Sequence, residues 1–407
     1  VEEYVLFAFP ARKAKGILDR NLSTIERCLW EEVSQFKVRY MRVGIVFHKN
    51  PLVPPTGIDL VRLRALAGGL RVRGVDAEIV APVEQDAEID GTIPVRPLAA
   101  LNVSDGYDLV KTSYHPSIML LENFRGPVVA RIVRVVDELL PERDEPFRDH
   151  LLKCQSVIRE RASVLILNNP ENEVRWKRLY GETPPVVLIP TGCPAELPES
   201  HSNPYRNGEK AVLFLGSLAA PRMVQMLNEA AERLDGVATV HLVGLNKACM
   251  YGGDDDCILD RRIVDHGELC EADVWDFVRH ASIGLAFATG LHPFDNDVSK
   301  ILNYLRGGLP VLSEEPIVNN VLVRETGFGK TFPYGDSNSL VQMARDLLKE
   351  PPLNRKEEVM RYMAAEHSWD RRVDTYIQLF DRVLSGPLQP DNSPVPNRLP
   401  GKDRLNV

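Results

Sequence analysis

The chain has 407 residues, about twice the ~100–200 that one domain usually takes, so two domains are expected. Hydrophobic residues at 44% and charged residues at 26% match ordinary globular chains and exclude global disorder, collagen and coiled coil. A net charge of −8, with no dominating basic stripe, argues against nucleic acid as a partner.

No apolar run approaches the ~20 residues of a membrane-spanning helix. Arg12, Lys13 and Lys15 come after the apolar Val1–Ala8, the reverse of a secretory leader. The cysteines (Cys28, Cys154, Cys193, Cys249, Cys257, Cys270) show no two-residue spacing. Reduced, mostly buried thiols in a cytoplasmic protein are therefore expected, with no metal knuckle.

Residues 1–40 differ in character from the rest of the chain. Ser23 to Glu26 has capping-box spacing, and Ile25, Leu29, Trp30 and Val33 recur at roughly helical period. A helical extension and an upstream stretch translated from an early start both stay open. From Met41 the pattern becomes strand and helix in alternation. Apolar runs at 42–47, 78–81, 109–112, 128–130, 164–167 and 186–189 read as buried parallel strands, with helices predicted at 59–73 and 148–161. This first domain spans 41–200.

Residues 190–209, with Pro190, Pro194, Pro198, Pro204 and Gly208, form a linker that holds neither a helix nor a central strand. Alternation restarts in a second domain at 208–354. Strands are expected at 211–215, 239–243, 283–287 and 310–313, and helices at 223–234, 271–280 and 298–306. Residues 355–385 read as closing helices and 386–407 as a disordered, Pro-rich tail. The fold class is α/β, two Rossmann-like doubly wound parallel sheets facing a central cleft. Ligands in such sheets bind at the carboxyl ends of the strands.

The segment His292–Val311 reads as loop, helix, tight turn and strand. Asp297 is positioned to cap the helix, leaving the amides at Val298, Ser299 and Lys300 for an anion. Lys300 adds a point charge for a phosphate, and Asn303 sits one turn further on. A solvated Lys300 on a plain helix explains the same residues. Gly57, opening a helix after the first strand, and Gly216, after the Leu213–Leu215 run, each either admit a phosphate or sugar or only make a turn. His115 comes after the 109–112 strand, where a lone histidine reads as a satisfied polar residue. Arg131, Arg134 and Asp137 follow the 128–130 strand and read as a surface ion-pair network. Asp254–Asp256 and Asp295–Asp297 invite a Mg or Mn reading; the first run reads instead as a solvated loop, and no metal is expected.

The 292–311 segment resembles the donor-binding signature of retaining glycosyltransferases with the GT-B fold, of the family four or "group 1" class. Lys300, Tyr304, Leu305, Gly308, Pro310 and Val311 match its Lys-x-x-Glu-Tyr-Leu-x-x-Gly-x-Pro-Val pattern. Asp295 and Asn303 stand where the family has its two Glu residues, the first near the transferred sugar and the second at the ribose. Leu213–Arg222 resembles the first turn of the donor domain, with Arg222 at a phosphate-binding Lys position and Ser217 replacing an Arg. Ile263–Leu269 resembles the run against the nucleobase, which places Val264 and Gly267 near the base. Ile189–Gly192 resembles the family's linker, and His367–Asp370 the opening of a last helix that crosses back to the first domain.

The resemblance implies a retaining, metal-independent transferase without cofactor, acting from a nucleotide-diphosphate sugar on a glycan, lipid-linked or small-molecule acceptor. It implies Asp295 and His115 at the sugar, and Lys300, Arg222, Gly216, Ser299 and Asn303 around the diphosphate and ribose. Gly57 and Arg131 fall on the acceptor side. Peripheral membrane contact is left open. Nucleotide-sugar 2-epimerases share the fold, and a catalytically degenerate binder of sugar-nucleotide or partner is the alternative that Ser217 and Asn303 allow.

Overall fold

The computed structural model describes residues 41–53, 57–102, 106–137, 147–248, 257–293 and 297–386. The expectations for residues 1–40, Asp254–Asp256, Asp295 and the tail after Gly386 lie outside the described residues.

The first half is a sheet of eight strands. Its members are β1 (Arg42–Val46), β2 (Asp76–Ala81), β3 (Ala87–Ile89), β4 (Ile93–Pro97), β5 (Leu109–Thr112), β6 (Val128–Arg131), β7 (Val164–Leu167) and β8 (Val186–Leu188). The spatial order is β3-β4-β2-β1-β5-β6-β7-β8. β5, β6 and β7 are buried at every residue, as strands covered on both faces must be. The connecting helices are α1 (Gly57–Val72), α2 (Arg148–Arg161) and α3 (Pro170–Tyr180). The short edge strand β3 runs antiparallel to β4, a departure from the all-parallel expectation.

The second half contains β9 (Ala211–Leu215), α4 (Pro221–Arg233), β10 (Thr239–Val243), β11 (Ile263–Asp265), α5 (Glu271–His280) and β12 (Ile283–Ala286). It continues through α6 (Lys300–Arg306), β13 (Val311–Glu314), α7 (Asn320–Thr326), β14 (Gly329–Phe332) and α8 (Ser337–Lys349). Its six-stranded sheet is wholly parallel, in the order β11-β10-β9-β12-β13-β14. That is the 3-2-1-4-5-6 order of dinucleotide-binding sheets, whose strand order reverses between β9 and β12. A crevice opens there, outside the strand ends.

The last two helices among the described residues are α9 (Lys356–Glu366) and α10 (Trp369–Ser385). The Ser368 hydroxyl caps α10 by accepting from the Arg371 amide. At the hinge, the Cys193 amide donates to the His367 carbonyl at 2.9 Å and the Trp369 amide donates to the Cys193 carbonyl at 2.8 Å. α10 then lies against α1 of the first half. Gly69 permits this approach, since a Cβ there would fall 2.6 Å from Val373, and Arg73 pairs with Asp374 at 2.6 Å. The expected crossing back is present.

Two expectations are corrected. Cys257 is disulfide-bonded, while Cys154, Cys193 and Cys270 are free. A lone bridge needs only two Cα atoms within about 7 Å, which spacing along the chain does not reveal. Asp297 does not cap α6: the helix is seven residues long, and Ser299 occupies the cap position without a side-chain capping bond. The Val298 amide is engaged by Asn319 Oδ1 at 2.6 Å. No helix among the described residues is long and apolar enough to cross a membrane.

Candidate active site

Between the halves lies a cleft of about 940 Å³, in the size range of small-molecule sites. The first half contributes Leu60, Val61 and Arg64 of α1 together with Asp90; the second contributes Gly216, Ser217, Gly244, Leu269, Lys300 and Asn303.

Its floor is built by two strand ends that touch. Gly216 after β9 has φ +102° and Gly244 after β10 has φ +139°; a Cβ on Gly244 would fall 2.2 Å from the Gly216 carbonyl oxygen. Only glycine makes this contact, and it leaves Gly216 bare toward the cleft. Lys300 faces that opening. Its Cε and Nζ are 3.7 Å from where a Gly216 Cβ would sit, and Nζ lies 3.7 Å from the centroid of the Phe214 ring. Among the described residues no carboxylate pairs with it. Burial lowers its pKa to about 7, because an ammonium over an aromatic ring loses hydration that a lone cation–π contact only partly replaces.

Tyr304, one turn further along α6, fixes this geometry. It is fully buried. Its hydroxyl accepts from the Leu215 amide at 2.8 Å and lies 3.2 Å and 3.1 Å from the carbonyls of Leu213 and Leu285. One hydroxyl thus joins α6 to β9 and β12 and sets Lys300 against Gly216. Ser299 and Asn303 also line the cleft.

Other expected positions fall elsewhere. Arg222 is committed to Glu314 of β13, a fully buried side chain, by bonds of 2.6 and 3.1 Å, and donates to the Ala288 carbonyl at 2.7 Å. It stacks over Tyr334 at 4.1 Å, outside the cleft lining. Its charge is engaged by Glu314. His115 is buried and pairs through Nε2 with Gln155 at 3.3 Å, and burial lowers its pKa to about 4. It is a buried, neutral imidazole that does not line the cleft. Val264 is 39% exposed, and neither it nor Gly267 lines the cleft; Glu268, Leu269 and Cys270 form that wall instead. The Gly267 carbonyl receives the Gly244 amide at 2.8 Å, so its role is to hold the strand end. Gly57 opens α1. Arg131 is buried and lines a separate, smaller cavity.

Sequence reasoning missed Asp297 in its actual role. Its carboxylate accepts from Asn168 Nδ2 at 2.6 Å and from the Thr191 hydroxyl at 3.4 Å, linking the α6 loop to the end of β7 and the linker. Asn168 comes directly after a buried strand and offered no signal beyond being polar at a strand's carboxyl end. Glu314 also escaped notice, although an acid closing an apolar run is itself a sign of a buried partner.

No protein-family model and no curated protein sequence matches the chain. Solved structures do. Sucrose-phosphate synthase from Thermosynechococcus elongatus superposes with a TM-score of 0.68 at 15% identity, covering 85% of this chain and 100% of that one. HepE from Anabaena, in complex with UDP, gives 0.65 at 15% identity, covering 84% and 100%. WaaG, a glycosyltransferase involved in lipopolysaccharide biosynthesis, gives 0.58 at 14% identity, covering 85% and 100%. The fold is that of the GT-B glycosyltransferases. In GT-B terms the 42–188 sheet is the first Rossmann-like half, the 211–332 sheet is the second, and the cleft with Lys300 lies between them.

Proposed function

We propose that this chain is a glycosyltransferase that moves a sugar from a nucleoside-diphosphate sugar to an acceptor hydroxyl, with retention and without a metal. The observation that carries the reading is Lys300: a cation without an acid partner among the described residues, held over Phe214 beside the bare backbone of Gly216, at the strand-order reversal where such sheets bind nucleotides. The bond from the anomeric carbon to the diphosphate oxygen breaks, and a bond from that carbon to the acceptor oxygen forms. The acceptor proton passes to the departing phosphate. Lys300 stabilises the charge that grows on the diphosphate, which is the main catalytic device such a site offers. Ser299, Asn303 and Asp295 are proposed to contact the ribose or sugar. The complexes of HepE with UDP and with UDP-glucose support a uridine donor.

A thermal-shift panel of UDP-, GDP-, ADP-, CMP- and dTDP-sugars in EDTA tests this, with Lys300→Ala alongside. A nucleotide at ~100 times its dissociation constant stabilises the fold by about 2.7 kcal/mol. One nucleotide active in EDTA and silent with the variant is the expected result; a shift that requires Mg overturns the metal-free reading. The commitment of Arg222 to Glu314 leaves Lys300 as the described cation at the diphosphate position and favours one second reading, a binder without turnover. Donor binding without sugar transfer or donor hydrolysis, across a range of acceptors, would select it.

A further inference from the structure

A second, smaller cavity lies in the first half at the carboxyl ends of β5 and β6, walled by Lys111, Arg131, Arg62, Tyr114 and Tyr376. Its volume of about 20 Å³ is room for one or two waters or a single small polar group, not for a sugar ring. The chemistry of its walls is one-sided. Lys111 and Arg131 are 4% and 5% exposed. Lys111 Nζ has one long hydrogen bond, 3.4 Å to Ser113 Oγ, and lies 5.8 Å from the Tyr376 ring centroid. Arg62 donates to Tyr114 Oη at 3.1 Å and to Thr191 Oγ1 at 3.2 Å, while its buried Nε has no partner. The acid on this wall, Asp59, accepts from the Tyr114 hydroxyl and faces Lys49 at 4.0 Å.

Two guanidiniums and a lysine amine surround one void, with Asp59, already engaged, as the carboxylate among the described lining residues, so the site is in want of negative charge, because buried charge is costly unless paired. Burial and the two guanidiniums push the Lys111 pKa well down, and no carboxylate opposes them. Planar guanidiniums and an ammonium together match phosphate and carboxylate oxygens.

We infer that the Lys111–Arg131–Arg62 cavity binds an oxyanion, the phosphate or carboxylate group of the acceptor. The inference rests on the transferase reading, in which the first half receives the acceptor. Trp369 walls both this cavity and the cleft. A hydrogen-bonded path runs from Arg62 through Thr191 to Asp297 at the cleft edge. An acceptor anchored by its anion in the small cavity is thereby placed next to the donor site.

Thermal shift and calorimetry with inorganic phosphate, glucose 6-phosphate, glucuronate and glucose test this on wild type, Lys111→Met, Arg62→Gln and Lys300→Met. Wild type and Lys300→Met should be stabilised by glucose 6-phosphate or glucuronate and not by glucose. Lys111→Met should bind at least about tenfold more weakly, the loss of one charge-assisted contact. In anion-free buffer its melting temperature should lie at or above that of wild type, since it removes a buried amine whose protonation no counter-charge favours. Arg62→Gln repeats the binding test should Lys111→Met not fold. No shift with any oxyanion overturns the inference. So does a shift that survives in Lys111→Met and Arg62→Gln, or one that vanishes in Lys300→Met and so belongs to the donor cleft. A response to inorganic phosphate without one to the sugar acids overturns the acceptor assignment. Nucleotide binding is read separately through Lys300, so failure of the donor reading leaves a different pattern.

Discussion

Asp297 in the second half accepts a 2.6 Å hydrogen bond from Asn168 in the first. The bond joins the end of β7 to the loop before α6, so it bridges the cleft beside Lys300. A charge-assisted bond contributes about 1.5–3 kcal/mol, which shifts an open–closed equilibrium roughly tenfold or more. Asp297→Ala and Asn168→Ala should therefore populate a more open form. Small-angle scattering should give a larger radius of gyration for both variants, with partial return on adding a nucleotide sugar. Unchanged scattering curves would remove the bond from any part in closure.

The alternation of short buried runs with amphipathic stretches made the architecture legible. β5, β7, β9, β10, α2 and α5 fall on their expected residues because their side chains are covered on both faces or one. β3, β4, β11 and β14 were invisible: β3 and β11 are three residues long, β4 (Ile-Pro-Val-Arg-Pro) carries two prolines, and β14 (Gly-Lys-Thr-Phe) is only partly apolar. Of the cleft lining, Gly216 and the positions Ser299, Lys300 and Asn303 at α6 were legible in the sequence. The partners of Arg222 and His115 were not legible because pattern shows which residues carry charge, not which partner absorbs it. Glu314 lies 92 positions from Arg222 and Gln155 lies 40 from His115.

Arg222→Met should unfold the core more than it disturbs the donor. Glu314 is fully buried and would keep only the amides of Ala288 and Gly335, at 2.8 and 2.7 Å. Removing one partner of a buried pair costs about 3–5 kcal/mol. Urea denaturation should show that loss for Arg222→Met and much less for Arg222→Met combined with Glu314→Gln. A melting temperature equal to wild type in the single variant would return Arg222 to the list of ligand contacts.

Acid should destabilise the protein well above the carboxylate range. Burial lowers the pKa values of His48, His115 and His367 to about 4. Each is neutral in the fold but protonates in the unfolded chain below its ordinary 6.5. The unfolded state then binds more protons, so stability is full above about pH 6.5 and falls as pH drops toward about 4. Melting temperatures across that window should decline, and His115→Gln should decline less steeply. Nucleotide binding near neutral pH should be the same in His115→Gln as in wild type, as fits a core residue.

Donor binding should be linked to a proton through Lys300. With its pKa lowered to about 7 by burial, the side chain is largely neutral at about pH 8.5, whereas a bound diphosphate favours the ammonium. Binding at that pH therefore takes up close to one proton, and affinity falls by up to about tenfold per pH unit above 7. Part of Lys300 still faces the cleft, so solvent screening makes the observed slope shallower than this limit. Calorimetry in two buffers of different ionisation enthalpy reads the proton directly. The uptake should approach zero at about pH 6, where Lys300 is already charged, and should vanish at both pH values in Lys300→Met. The sign alone does not separate this from a carboxylate, but the pH of the maximum does. A carboxylate whose pKa rises beside the donor also takes up a proton on binding, most near about pH 5 and not at all at about 8.5. An uptake largest at the acid end, or one that persists in Lys300→Met, would place the diphosphate away from this lysine.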